Sequence, residues 1–122
     1  MPVIPSRFEY LTVKVVDGVA VIGFLESASM IEGDRVDKLA KELFDLIDEK
    51  KFTKILLNLY NTGYMSSAML AQLIRLNRKM QSVRGKVRLC ALRPPIVDAF
   101  KVSQFDKLFE IFPDEPSALK KF

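Results

Sequence analysis

The dipeptide Asp17-Gly18 joins two short segments near the start of the chain, Leu11–Val16 and Val19–Phe24. Both segments are rich in valine and other residues that favour strands, and an Asp-Gly connection suits the type I′ turn of a two-residue hairpin. The pattern therefore predicts an antiparallel pair of strands. The rest of the chain must then pack against a sheet that begins with a hairpin.

Beyond the hairpin, helical and strand patterns alternate. In the helical stretches apolar residues recur at intervals of three and four, with charged residues on the other face. In the strand stretches the residues are almost continuously apolar, as in strands that are covered on both faces. The elements predicted in this way are a helix at about 34–50, a strand at 55–59, a helix whose apolar stripe runs from Met69 to Met80 and which ends at Arg84-Gly85, and a strand at 87–92.

The last third of the chain continues this alternation. Pro94-Pro95 cannot continue the preceding strand, so a short helix at about 96–103 is predicted next. A brief strand at 108–112 and a terminal helix beginning near Pro113 follow. Helical crossovers make neighbouring strands parallel. The predicted fold is therefore α/β, with a mixed sheet in which an N-terminal antiparallel hairpin is followed by alternating strands and helices.

The size and composition predict one cytoplasmic domain. At 122 residues and 13.9 kDa the chain has the usual size of a domain, predicted to span residues 1–122 with its core at about 10–120. Its apolar runs fall well short of the about 20 residues that a membrane helix needs, so no membrane association is predicted. The first five residues lack a signal-peptide pattern, and the lone Cys90 excludes an internal disulfide.

The residue inventory excludes several kinds of site. With no histidine and one cysteine, the chain alone cannot assemble the usual zinc sites or a Ser-His or Cys-His nucleophile pair. No pair of carboxylates stands out for acid–base chemistry, so no catalytic residue, metal or cofactor is predicted. The net charge of +4 is concentrated in residues 75–122, but no RNA-binding motif or zinc finger accompanies it, so nucleic acid is not a predicted partner.

Residues 57–70 read LNLYNTGYMSSAML and interrupt the apolar pattern. An apolar run gives way to a small polar patch around Gly63, and two adjacent hydroxyls, Ser66 and Ser67, stand where the next helix begins. This segment resembles the signature of STAS domains, the anti-sigma factor antagonists, in which a strand leads into Asp-Ser-Ser-Gly-Leu at a helix start. The resemblance extends over about residues 10–120 and implies the same α/β, STAS-like fold.

The resemblance implies roles for single residues. Ser67 takes the place of the family's phosphorylated serine, and Leu70 that of its leucine. Ser66 stands where the family has aspartate, Asn61 where it commonly has an acidic residue, and Met69 where it has glycine. Both carboxylates that would lie near a phosphate are therefore neutral in this chain, which lowers the like-charge repulsion against a phosphate on Ser67.

The two hydroxyls have different predicted roles. Ser66 is predicted to be the N-cap of the helix, where its side-chain oxygen contributes about 1 kcal/mol by accepting a backbone hydrogen bond. Ser67 is the predicted phosphate acceptor, with Ser66 as the alternative, because a helix N-terminus accommodates a phosphate charge of about −2. The other interpretation of Ser67 is a helix-start serine without a further role.

A partner-binding surface is predicted around these serines. Tyr64 and Met65 are expected to supply its apolar contacts. Three basic residues on the following helix are expected to supply its charge, and the alternative for them is an ordinary solvated face. The predicted partner-binding residues are Asn61, Tyr64, Met65, Ser66, Ser67, Arg75, Arg78 and Lys79.

Three functions are compatible with this pattern. The resemblance implies an anti-sigma factor antagonist that binds an anti-sigma factor or serine protein kinase, is switched by serine phosphorylation, and is a monomer or weak dimer. The second function is a non-switching STAS scaffold or oligomerisation domain of a signalling complex. The third is an enzyme or small-ligand binder that uses the loop at 61–70 as a phosphate cradle.

Overall fold

The computed structural model describes residues 9–120 and residue 122. The first five residues, for which no signal peptide is predicted, lie outside this range. Within it, no helix is long and apolar enough to cross a membrane.

The predicted hairpin is present. Strand β1 (Leu11–Val16) pairs with β2 (Val19–Phe24) in antiparallel register. Asp17 and Gly18 connect them with φ angles of 50° and 80°, as the two central residues of a type I′ turn require. The hairpin therefore has the predicted strand limits and turn.

Strands and helices alternate after the hairpin, as predicted. Two of the strands are only two residues long and form a small sheet of their own. The remaining elements are β3 (Met30–Ile31), α1 (Asp34–Asp48), β4 (Lys54–Asn58), β5 (Tyr64–Met65), α2 (Ser67–Ser82), β6 (Lys86–Cys90), α3 (Pro94–Val102), β7 (Glu110–Phe112) and α4 (Glu115–Leu119).

The main sheet has five strands in the order β1-β2-β4-β6-β7. Only the hairpin pair is antiparallel; β2 with β4, β4 with β6, and β6 with β7 are parallel. Strand β4 is central, which explains why its sequence is almost continuously apolar. The predicted α/β fold with a mixed sheet and an N-terminal hairpin is confirmed.

The larger core lies between one face of this sheet and helices α1 and α2. Alternate strand residues such as Ile22 and Leu57 point into it, and Leu43 of α1 and Leu73 of α2 close it from the other side. All four side chains are fully or almost fully buried. This packing fixes the position of α2, and with it the position of Ser66 and Ser67 at its start.

The opposite face of the sheet is covered by α4 and the C-terminal residues. Val21 and Leu56 form a second, smaller core with Ala118 of α4. Glu115 of α4 accepts a hydrogen bond from Asn58 at 2.9 Å and from Lys14 at 3.2 Å. These polar contacts tie α4 to β4 and β1 of the sheet.

The structure differs from the sequence prediction in a small pair of strands, in the start of α3 and in the length of β7. The pair of two-residue strands, β3 and β5, was not predicted, because their pairing joins segments about 34 residues apart and neither has a local strand pattern. Helix α3 begins at Pro94 rather than at 96, since proline is tolerated in a first helical turn that needs no backbone N–H donor. Strand β7 is shorter than predicted, because residues 105–107 form a 3₁₀ turn.

Candidate partner-binding surface

The start of α2 is held in place by the small sheet. Strand β5 pairs with β3 in parallel, so that Met30 lies beside Tyr64 and Ile31 beside Met65. The backbone N–H of Ser66 then donates to the carbonyl of Ile31 at 2.9 Å. The two serines are therefore presented by a fixed backbone rather than by a free loop.

The hydroxyls of Ser66 and Ser67 have different environments. The Ser66 oxygen accepts a hydrogen bond from the backbone N–H of Met69 at 3.3 Å, which confirms Ser66 as the N-cap of α2. Ser67 is the first helical residue and is exposed. Within the described part of the chain its hydroxyl makes no hydrogen bond. Of the two side chains, that of Ser67 is the more exposed.

The loop before β5 is tied to the segment that follows β2. Thr62, which is fully buried, donates its hydroxyl hydrogen bond to the carbonyl of Ala28 at 3.1 Å. The backbone N–H groups of Gly63 and Tyr64 both donate to the carbonyl of Ser29, at 2.8 and 3.2 Å. These contacts order the surface in advance, which lowers the entropic cost of binding a partner.

Asn61 has a structural contact that the sequence did not reveal. Its side-chain nitrogen donates to the carbonyl of Phe24 at 2.9 Å, and the residue is half-buried. A carboxylate could not make this contact, because it has no hydrogen to donate. This geometry gives a physical reason for an amide at a position where the resemblance implies an acidic residue.

The apolar part of the surface differs from the prediction. Met65 was expected to contact a partner, but it is only 4% exposed and packs in the main core, because alternate residues of a strand point to opposite sides. Tyr64 is exposed as predicted, and Met30 beside it is exposed as well. Met30 therefore replaces Met65 as the apolar neighbour of Tyr64.

Tyr60 and Arg93 extend this surface and were missed in the sequence. The side chain of Arg93 donates to the carbonyl of Tyr60 at 2.6 Å, and its guanidinium lies 5.5 Å from the centre of the Tyr60 ring. Tyr60 is 65% exposed. No sequence signal linked two residues 33 positions apart. We call Met30, Tyr60, Tyr64, Ser67 and Arg93 together the Ser67 surface.

The three basic residues of α2 do not act as one group. The cationic groups of Arg75 and Lys79 both lie over the ring of Phe44 on α1, and Lys79 also pairs with Asp48. Arg78 is exposed and forms no ion pair within the described residues. At about 100° per residue, Arg78 lies almost in line with Ser67, about three turns further along the helix.

Comparison with known proteins identifies the family. A model of the STAS domain family matches residues 10–118. The chain belongs to the STAS domain family. It is 26% identical over 112 residues to BtrV of Bordetella bronchiseptica, a candidate anti-sigma factor antagonist by name, and the match covers 92% of this chain and 93% of that protein.

Solved structures of other STAS proteins share the fold of this STAS domain. A candidate anti-sigma factor antagonist of Thermotoga maritima superposes with a TM-score of 0.82 at 18% identity, covering 91% of this chain and 92% of that one. The anti-sigma factor antagonist SpoIIAA in its unphosphorylated form superposes with a TM-score of 0.67 at 17% identity, covering 88% and 92%. The phosphorylated form of the Bacillus protein gives 0.66 at 16% identity, covering 88% and 96%.

The acid–base groups with shifted pKa values are not members of the Ser67 surface. Burial raises the pKa of Glu42 on α1, although its carboxylate accepts hydrogen bonds from the backbone of residues 9 and 10. Burial also raises the pKa of the Cys90 thiol to about 12. Hydrogen bonds from Ser117 lower the pKa of Asp114 at the start of α4. Among the described residues, no three His, Cys, Asp or Glu side chains are grouped to hold a metal.

Proposed function

We propose that this STAS domain is an anti-sigma factor antagonist that binds an anti-sigma factor with serine-kinase activity through the Ser67 surface. The proposal places the protein in the cytoplasm, as a monomer or weak dimer without catalytic activity of its own. Membership of the STAS family and the name of the relative BtrV support the partner class. The proposed roles of single residues rest on the geometry of the start of α2.

One observation carries the proposal: of two adjacent serines, Ser66 caps α2, and Ser67 is exposed with a hydroxyl that makes no hydrogen bond to residues 9–120 or 122. Ser67 is therefore the phosphate acceptor in this proposal. The first turn of α2 offers backbone N–H groups and the positive end of the helix dipole, which stabilise a charge of about −2. Phosphorylation can then occur without unfolding the helix.

The same charge would disrupt binding to the partner. The exposed rings of Tyr60 and Tyr64 and the side chain of Met30 are the apolar contacts expected at the centre of an interface. A phosphate on Ser67 would add a charged, strongly hydrated group three residues along the chain from Tyr64. Arg93, the cation of the same surface, is engaged with the carbonyl and ring of Tyr60, and Arg78 lies about 16 Å further along the helix axis, so neither is already paired with a phosphate at that position.

The test uses single substitutions of Ser67 in affinity capture from the native cells. Tagged parent protein and Ser67→Ala are expected to recover the same kinase-like protein, whereas Ser67→Glu and Ser67→Asp are expected to lose at least about 90% of it, which corresponds to about 1.4 kcal/mol. Ser82→Glu is the matched control, because Ser82 is an exposed serine at the other end of the same helix. It should capture the partner as well as the parent does.

Phosphorylation is tested separately with the purified partner. Incubation with labelled ATP should transfer phosphate to the parent protein and not to Ser67→Ala, and peptide mapping should locate the phosphate on Ser67. Transfer to Ser66 would overturn the assignment. If Ser67→Glu still binds the partner and no phosphate is found on either serine, the non-switching scaffold is the better description. Its signature is a large, stable oligomer in light scattering.

A further inference from the structure

A second group of exposed side chains lies at the far end of α2. The helix runs from Ser67 to Ser82, so at about 1.5 Å per residue its end lies about 24 Å from the Ser67 surface. There it meets the end of α1 and the segment that leads into β4, and a cavity of about 190 Å³ opens between them. We call this cavity the basic groove. It is lined by Ile47, Asp48, Lys51, Phe52, Thr53, Lys79 and Val83.

The basic groove is formed in advance by tight backbone packing. The N–H of Lys86 donates to the carbonyl of Thr53 at 2.9 Å, and the N–H of Gly85 donates to the carbonyl of Met80 at 2.7 Å. A Cβ atom on Gly85 would lie only 2.6 Å from the Thr53 oxygen, so only glycine allows the two segments to come this close. The groove therefore needs little ordering when it binds a ligand.

The floor of the groove is apolar. Ile47 and Phe52 form its inner part, and Val83 is 45% exposed at its edge. A volume of about 190 Å³ is smaller than the about 300 Å³ at which cavities begin to enclose a typical small ligand. It is suitable for one large apolar side chain, which is how anchor residues of a protein partner bind.

The surroundings of the groove carry a strong positive charge. Asp48 is already paired with Lys79, and Glu49 is the one carboxylate of residues 46–55 or 79–88 without an ion pair. Residues 46–55 and 79–88 together carry seven Lys and Arg against two Asp and Glu, an excess that is larger than the net charge of +4 of the whole chain. Five exposed cations without an ion pair in the described residues lie here: Lys50, Lys51, Lys54, Arg84 and Lys86.

Helix dipoles do not account for all of this charge. Cations after a helix C-terminus complement the dipole, which explains Lys50, Lys51 and Arg84. Lys54 and Lys86, however, are direct neighbours on the parallel strands β4 and β6. Like charges at such a pair are unfavourable, and an anionic ligand would relieve the repulsion. This end of the sheet is thus arranged for contact with negative charge.

We propose that the basic groove binds an acidic segment of a second protein, which inserts one large apolar side chain between α1 and α2. The charges supply the attraction, and the cavity supplies the specificity. A phosphate backbone or a flat membrane surface could meet the charges but would leave the apolar floor uncovered, whereas an acidic segment with one large apolar side chain matches both. The site is separate from the Ser67 surface and does not depend on the proposed function of that surface.

Binding is tested by fluorescence anisotropy with a short labelled peptide in which Asp and Glu flank one central Phe. The same peptide with Ser in place of Phe is the probe control. The parent protein should bind the Phe peptide at least about tenfold more tightly than the Ser peptide, because only the former can fill the cavity. Binding should weaken with added salt, as charge attraction is screened.

Matched variants locate the site. Val83→Glu should weaken peptide binding at least about tenfold, whereas Val102→Glu, at a more exposed valine on α3, should leave it unchanged. Lys86→Glu should weaken binding more than Lys101→Glu, also on α3. Thermal unfolding of each variant checks that the fold is retained. All four variants should still recover the kinase-like partner of the Ser67 surface.

Chemical-shift mapping and competing probes can contradict the proposal. Amide signals of Thr53, Val83 and Gly85 should move with the Phe peptide, and those of Tyr64 and Ser67 should not. Equal binding of the Phe and Ser peptides would overturn the proposal, as would equal weakening by Val83→Glu and Val102→Glu. Tighter binding to a single-stranded oligonucleotide or to anionic phospholipid vesicles would also overturn it and would assign the basic charge to those ligands.

Discussion

The side-chain oxygen of Ser66 lies 3.3 Å from the backbone nitrogen of Met69 and accepts its hydrogen bond. The first backbone N–H groups of a helix have no acceptor within the helix, and Ser66 supplies one for Met69 in the first turn of α2. The neighbouring Ser67 makes no such contact within the described residues. Stability measurements can therefore separate the two serines independently of any partner.

Ser66→Ala is expected to lower the free energy of unfolding by about 1 kcal/mol, the usual cost of losing a serine N-cap. Ser67→Ala should change it by less than about 0.5 kcal/mol, because an exposed serine without a contact is replaced by a better helix former. Urea unfolding followed by circular dichroism measures both. Equal losses for the two variants would mean that the hydroxyls share the capping role.

Asn61→Asp is expected to destabilise the protein by about 1–3 kcal/mol at neutral pH. The substitution replaces the N–H donor that faces the Phe24 carbonyl with a carboxylate oxygen, so a favourable contact becomes a repulsive one. The pKa of the new carboxyl would be raised in the folded state. The loss of stability relative to the parent should therefore shrink as the pH falls and the group is protonated.

Asn77→Asp provides the control for this change. The side chain of Asn77 donates to the carbonyl of Leu108 at 3.5 Å on the exposed side of α2, so its hydrogen bond is long and open to water. Its loss should cost less than about 0.5 kcal/mol. Unfolding in urea at pH 7 and at pH 4 compares both variants with the parent. A larger loss for Asn77→Asp would contradict the role assigned to Asn61.

The sequence predicted those parts of the fold that depend on local patterns. Asp17-Gly18 predicted the hairpin, because the turn requires two positive φ angles. The spacing of apolar residues predicted α1 and α2, and the capping chemistry of Ser66 predicted the start of α2. Each of these signals lies within a few residues of the element that it predicts.

The surface chemistry depends on contacts between distant segments, which is why it was partly missed. Met65 is buried because β5 pairs with β3, and Asn61 is held by a carbonyl 37 residues earlier. Arg93 reaches Tyr60 across the carboxyl ends of β6 and β4. Single-residue patterns carry no information about such pairs, so the sequence could identify the segment of the site but not the orientation of each side chain.

Arg88→Lys is expected to loosen α4. Arg88 is buried on β6, where one guanidinium nitrogen donates to the carbonyls of Ala118 and Lys120 at 3.0 and 2.8 Å. The guanidinium also lies 5.1 Å from the ring centre of Phe112 and 4.6 Å from that of Phe122. A lysine has a single nitrogen and cannot reproduce this planar arrangement.

The loss of these contacts should cost about 1–3 kcal/mol, since carbonyl groups and part of a buried charge lose their partners. Hydrogen exchange should accelerate most in α4. Arg84→Lys, at an exposed arginine after α2, should change neither stability nor exchange. Unchanged protection of α4 in Arg88→Lys would show that the apolar contacts of Ala118 alone hold the helix.

Because of Cys90, we expect the protein to lose stability in alkaline solution. Its side chain is fully buried, and burial, reinforced by Glu115 and Asp114, raises the pKa of the thiol from 9.0 to about 12. Well below pH 9 the thiol is protonated in both the folded and unfolded states and contributes no pH dependence. Between pH 9 and 12 it ionises only when the chain unfolds, so stability should fall by up to about 1.4 kcal/mol per pH unit.

Cys90→Ala isolates this contribution, because all other ionisable groups remain. Between pH 9 and 11 the free energy of unfolding should fall less steeply in Cys90→Ala than in the parent, although the smaller side chain lowers its stability at neutral pH. Thiol labelling at pH 8 gives an independent check. The native protein should react with an aromatic disulfide reagent only as fast as it unfolds, since the thiolate is the reactive form and Cys90 is inaccessible in the folded state. Rapid labelling of the native protein, or equal alkaline slopes for parent and variant, would show that α4 leaves the thiol open to solvent.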